Sequence, residues 1–195
     1  MNTLEIIGTL VGLIYLFLEY RGSIYLWIAG VIMPAIYIKL YFDTGLYADM
    51  ACNIYYLVAA VYGLTVWLLV RKKLATEGKK PQMPITRMPA KYWVGCAVLL
   101  VVLFVSIGYG LDRYTDSTVP YLDSFTTSLS IIAMWQLAQK YVEQWLAWIL
   151  VDAVSAGLYV YKGLTLTAAL YSLYTLIAVA GYFKWKKMMI QSKTY

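Results

Sequence analysis

Residues 92 to 110, "YWVGCAVLLVVLFVSIGYG", contain no charged side chain. A helix of about 20 apolar residues matches a hydrocarbon core roughly 30 Å thick. Inside a lipid core every backbone polar group needs an internal partner, so a stretch of this kind is predicted to be a membrane-crossing helix. Six more windows read the same way. The seven spans are expected at about 4–19, 23–42, 47–70, 92–110, 121–139, 144–161 and 164–184. Of the 195 residues, 62% are hydrophobic and 13% charged. A soluble domain of this length could not cover so much apolar surface. The fold class is therefore an all-α membrane protein of seven transmembrane helices, with no separate soluble domain. The first window lacks a basic leader and a small-residue cleavage site, so it reads as a retained span.

The charges set an orientation. The longest connection, "RKKLATEGKKPQMPITRMPAK" (71–91), holds seven Lys/Arg and one Glu, and the tail adds Lys184, Lys186, Lys187 and Lys193. The positive-inside rule places both in the cytoplasm. With seven spans the N-terminus then lies outside, Arg21 and Lys140 lie inside, and the Asp-rich loops "YFDTGLYAD" and "LDRYTDSTVPYLD" lie outside. The net charge of +6 is thus a topological signal and does not point to nucleic acid. The absence of histidine removes His-based metal sites and general bases. No P-loop, CxxC or nucleophile elbow occurs, so no enzyme and no cofactor is expected. Cys52 and Cys96 read as free, buried thiols within spans.

The chain repeats itself. "AVYGLTVW" (60–67) and "AVAGYFKW" (178–185) share Ala-Val-x-Gly-x-x-x-Trp at an offset of 118 residues, which Gly45 and Gly163 also obey. Tyr20 precedes Trp27 as Tyr141 precedes Trp148, there at an offset of 121, which suggests a three-residue length difference between the halves. Spans 1–3 and 5–7 are expected to be a duplicated three-helix unit joined by span 4. One linking span makes this a parallel repeat, a plan that places a substrate site between the halves near the midplane. The expected division is 1–71 for the first repeat, 72–120 for the basic loop and linking helix, and 121–195 for the second repeat and basic tail.

In "EQWLAWILVDAVSAGLYVY" (143–161), Trp145, Trp148 and Asp152 stand at i, i+3 and i+7, and Ser155 and Tyr159 continue the stripe on one helical face. A carboxylate at membrane depth should face the bundle interior or a watery cavity. Two indoles one turn away offer surfaces for stacking and cation–π contact. The pattern fits a pocket for a flat, cationic aromatic molecule. The structural alternative is that Asp152 pairs with Lys39 or Lys162 and locks two helices, with the tryptophans in an interfacial belt. Asn53 and Tyr56 share a face of span 3, where Asn53 could equally bond across helices. Tyr171 and Tyr174 repeat the spacing in span 7, and Trp135 and Gln136 add polar and aromatic surface in span 5, with Thr126, Thr127 and Ser130 above them. Pro34 should kink span 2.

"EQWLAWILVD", "LYVYKGLTLTAALY" and "GYFKW", with "GLYAD" and "YGLTVW" in the first half, resemble the Pnu family of bacterial vitamin transporters across nearly the whole chain. The resemblance implies a 3+1+3 arrangement similar to the SWEET sugar transporters, a bacterial inner-membrane location and trimers. It also implies facilitated diffusion of an unphosphorylated vitamin that is trapped by phosphorylation inside the cell. The riboside carriers of the family resemble Trp-x-x-Trp-x-x-x-Asn where this chain has Trp145, Trp148 and Asp152, and tend to carry Gln at the position of Asn53. Those positions belong to the family's substrate pocket. A carboxylate in place of an amide favours a donor-rich cation. Thiamine is therefore the expected substrate, with nicotinamide riboside as the alternative. A non-transporting membrane scaffold is the rival from another class.

Overall fold

The structure, a computed structural model, describes residues 3–43, 47–115 and 117–191. They form seven α-helices: α1 (Thr3–Tyr20), α2 (Tyr25–Asp43), α3 (Tyr47–Thr76), α4 (Ala90–Tyr114), α5 (Pro120–Ala138), α6 (Gln144–Tyr161) and α7 (Thr165–Gln191). Four of these, α2, α3 from Met50, α4 and α7, are long and apolar enough to cross a membrane by length and composition. The outer surface of α4 shows why: Val94 is 71% and Val101 61% exposed, an apolar belt suited to lipid and not to water. By contrast α5, with its run of serines and threonines, and α6, with Asp152 and Ser155, bury more of their length. Helices α3 and α7 run past their expected ends at 70 and 184, to Thr76 and Gln191. Arg71, Lys72 and Lys73 are good helix formers and simply continue the helix beyond its apolar part. Helix α2 continues across Pro34.

The chain divides into two compact units between Met83 and Pro84. The first holds α1–α3 and the second α4–α7. The linking helix is not a separate body, because α4 packs along α5: the Ser124 hydroxyl donates to the Phe104 carbonyl at 2.6 Å.

Each unit has the same core. In the first, Trp27 is wholly buried and meets Trp67 edge-to-face, with centroids 5.7 Å apart at 84°. In the second, Trp145 is wholly buried and meets Trp185 with centroids 5.6 Å apart at 86°. Each buried indole lies on a glycine of the next helix, Gly63 or Gly181, where no Cβ would fit. The α1–α2 and α5–α6 turns match as well. Gly22 N–H donates to Glu19 O at 2.8 Å and Ser23 N–H to Leu18 O at 2.9 Å; Lys140 N–H donates to Leu137 O and Tyr141 N–H to Gln136 O, both at 2.9 Å. This is the paired hydrogen bonding that closes a helix through a left-handed residue, and Gly22 (φ 63°) and Lys140 (φ 57°) both take that conformation.

These correspondences are all 118 residues apart, as are the helix ends at Tyr20 and Ala138 and at Asp43 and Tyr161. The expected shift to 121 is not there. Trp27 matches Trp145 in environment, and not Trp148, so the halves need no length difference before α2 and α6. Gly163 turns at φ 72°; Gly45 lies outside the described residues. Cys52 and Cys96 are free, but Cys52 is exposed and Cys96 half-buried. Apolar side chains on a membrane helix can face lipid, so a position inside a span does not imply burial.

The basic connection ends in a built strap. Thr86 N–H donates to Lys140 O at 3.2 Å, and Val142 N–H donates back to Thr86 O at 2.9 Å. Met88 N–H donates to the Glu143 carboxylate at 2.9 Å. Ile85 and Met88 are buried beneath. The strap thereby holds the N-terminal end of α6.

Candidate functional site

The candidate site lies on α6 and α7 of the second unit. Asp152 sits midway along α6 and is only 7% exposed. One helical turn further, Ser155 is also buried, and Trp148, one turn before, is half-buried. Tyr159 follows on the same stripe. Across from it on α7, the Tyr171 ring is 5.0 Å from that of Tyr159 at 33°, and Tyr174 is 5.6 Å from Tyr171. Tyr174 stands close enough to Asp152 to feel its charge. The structure therefore brings together Trp148, Asp152, Tyr171 and Tyr174 of the expected residues, with Ser155 and Tyr159 beside them.

The ion-pair lock does not form. Lys39 binds Asp43 at 2.8 Å on its own helix, and Lys162 faces Asp123 at 3.6 Å. Asp152 makes no hydrogen bond or ion pair with another described residue. A buried carboxylate without a countercharge is costly, so this one is suited to receive a cation. Beside it, the Trp148 indole nitrogen is buried without a hydrogen-bond partner among the described residues.

Other expected residues stand elsewhere. Trp145 is sealed in the core, with its ring over Gly181 and its edge on Trp185, so it has no face free for stacking. Trp135 packs toward the α5–α6 turn, edge-on to Tyr92 at 5.7 Å and to Tyr141 at 5.8 Å. Gln136 donates to the Met88 sulfur at 3.6 Å under the strap. Asn53 and Tyr56 lie on α3 in the first unit; Asn53 is half-buried, and Tyr56, 41% exposed, rests against Tyr55 at 5.4 Å.

Sequence reasoning missed Glu19. It is 1% exposed at the end of α1, one turn below Tyr15, which stands within electrostatic reach of Tyr56. Its signal was a single acid four residues after a tyrosine in an otherwise apolar run.

Residues 2–187 match the family described as nicotinamide mononucleotide transporter. The chain belongs to this family. It is accordingly a multi-pass membrane transporter and not an enzyme. Among relatives, it is 23% identical to the nicotinamide riboside transporter PnuC of Escherichia coli (strain K12), over 95% of this chain and 85% of that one. It is 24% identical to PnuC of Neisseria mucosa, over 94% and 72%. It is 27% identical to the riboflavin/roseoflavin transporter RibM of Streptomyces davaonensis, over 93% and 83%. None of these three is named for thiamine. The fold matches the crystal structure of the vitamin B3 transporter PnuC with a TM-score of 0.68, at 23% identity, over 94% of this chain and 80% of that one.

Proposed function

We propose that this transporter carries a flat, cationic heteroaromatic vitamin across the bacterial inner membrane. The observation that carries the reading is Asp152, a buried carboxylate with no cationic partner among the described residues, one turn from Trp148. Nicotinamide riboside is the first reading. It is a pyridinium cation, and the names of the PnuC relatives support it better than they support thiamine. Thiamine, the substrate expected from the sequence, is the second reading, favoured by Asp152 itself: a carboxylate accepts both the positive ring and the exocyclic amine. Riboflavin, named for one relative, is neutral and would leave Asp152 uncompensated.

In this reading the ring stacks on Trp148, Asp152 supplies the countercharge, and Tyr171 and Tyr174 border the ligand. Asn53 and Tyr56, on α3, are further candidate hydrogen-bonding groups for the ligand. Trp145 and Trp135 hold the scaffold. All seven helices cross the membrane with the N-terminus outside and the basic connection and tail in the cytoplasm. The matched cores and turns at a constant offset support a 3+1+3 parallel repeat of the SWEET kind, with copies assembling as a homotrimer. Diffusion is downhill, and phosphorylation inside the cell retains the vitamin.

The test is quenching of tryptophan emission in the purified protein, titrated separately with nicotinamide riboside, thiamine and riboflavin, in wild type and in Asp152→Asn. Saturable quenching by a cationic vitamin that weakens at least tenfold in the variant supports the reading. Quenching by riboflavin alone, or binding unchanged in Asp152→Asn, would overturn it.

A further inference from the structure

Bulk is exchanged between the two halves at the position of Trp148. In the first unit, Gly30 of α2 is closed in on two sides. A Cβ there would stand 3.3 Å from the Ala60 Cβ on α3 and 3.5 Å from the Tyr15 ring on α1. At the register of 118, the counterparts are Trp148 on α6, Ala178 on α7 and Ala133 on α5. Ala133 is wholly buried and Ala178 nearly so. A tryptophan replaces glycine at one member of the contact, and an alanine replaces tyrosine at another, while the third remains alanine. Protein interiors are close-packed, so a large side chain enters only where equal volume has been vacated. Asp152 is exchanged in the same way, for Pro34 one turn along α2.

We propose that Ala133, with Ala178, forms the slot that seats the Trp148 indole, and that Ala133 is thereby a positioning residue for the ligand-stacking surface. The inference rests on the repeat register and on the substrate reading above. An indole has two rotatable side-chain bonds, and what fixes its plane is the shape of the wall behind it. Asp123, Ser130 and Ala133 recur at near-helical spacing on α5, and Asp123 faces Lys162, which caps the C-terminal end of α6, so this stripe turns toward α6. In the first half Tyr15 fills the corresponding space and Gly30 and Pro34 offer neither ring nor charge. At these positions the indole and the carboxylate therefore belong to the second half only; the buried acid of the first unit, Glu19, stands at the end of α1.

Two measurements on the detergent-purified full chain test this, and they fail independently. The first needs no ligand. Thermal midpoints are compared for wild type, Ala133→Tyr, Trp148→Gly and the double variant, which rebuilds the first-half pairing. The expected result is a double variant at least as stable as Ala133→Tyr alone, so that the two changes are coupled. Losses that simply add would overturn the slot. The second uses Ala133→Val, a smaller intrusion compatible with folding. Titrated with nicotinamide riboside and thiamine, it should bind on the order of tenfold more weakly than wild type, the scale of one desolvated cation–π contact. Wild-type affinity in Ala133→Val, with its thermal midpoint kept, would overturn the positioning role. Coupled midpoints with no quenching of the wild type by either vitamin would reject the substrate reading and leave the slot standing.

Discussion

Trp27 rests directly on Gly63: a Cβ added to that glycine would fall 2.3 Å from the indole. Trp145 rests on Gly181 in the same way, at 2.7 Å. The two glycines let α3 and α7 approach their partners over a buried ring, in the manner of small residues at membrane helix interfaces. The ring atoms have nowhere to go, because each indole is also held edge-on by Trp67 or Trp185. Gly63→Ala and Gly181→Ala should each cost about 1–3 kcal/mol, the range for overpacking a filled core. Gly157, on the open side of α6, has nothing within 4 Å of the missing Cβ. Gly157→Ala should be neutral or gain up to about 1 kcal/mol. Thermal unfolding in detergent separates the three, and equal losses at all positions would reject the packing argument.

Asp152→Asn should keep or raise thermal stability in the absence of ligand. The carboxylate has no cationic partner among the described residues, so removing its charge removes a burial cost with no lost ion pair. A helix lock would behave in the opposite sense, since breaking a buried pair costs about 3–5 kcal/mol. A lowered midpoint in the ligand-free variant would therefore restore the structural role.

Lys140 is 1% exposed in the α5–α6 turn. Burial pushes its ammonium down from 10.5 to about 8. Between those values the unfolded chain binds a proton that the folded chain has released. Stability contributed by this group therefore rises with pH across that window and is flat below it. Lys140→Met should lack the rise, so the difference between wild-type and variant midpoints should shift in favour of wild type from pH 8 to 10. A constant difference would mean that Lys140 titrates normally.

Glu143 fastens the strap by accepting the Met88 N–H at 2.9 Å. Arg87 beside it is exposed yet held in an extended, bonded segment. Glu143→Ala should leave the helices folded but speed tryptic cleavage after Arg87 by roughly tenfold or more, since local opening free energy falls by about 1.5–3 kcal/mol, the range for a hydrogen bond to a charged group. Limited proteolysis with mass analysis of the fragments reads this out, and an unchanged rate would show that the backbone bridge to Lys140 and Val142 suffices.

The helices, their turns and the helical alignment of Trp148, Asp152, Ser155 and Tyr159 were legible in the chain as written. They depend on apolar run length, on glycine, and on 3.6-residue geometry, which are local properties. The partners of those residues were not legible. A membrane helix is apolar toward lipid as well as toward protein, so periodicity no longer marks an inner face. Trp145 and Trp148 look equivalent three residues apart, yet Trp145 is consumed by Gly181 and Trp185 from a helix far along the chain. The same holds for Lys162, which meets Asp123 and not Asp152, and for Glu19, which is buried at the end of α1. Composition was enough to place an acid and a ring at membrane depth. Helix packing, which brings together residues distant in sequence, chose which ring became core and left the acid without a cationic partner among the described residues.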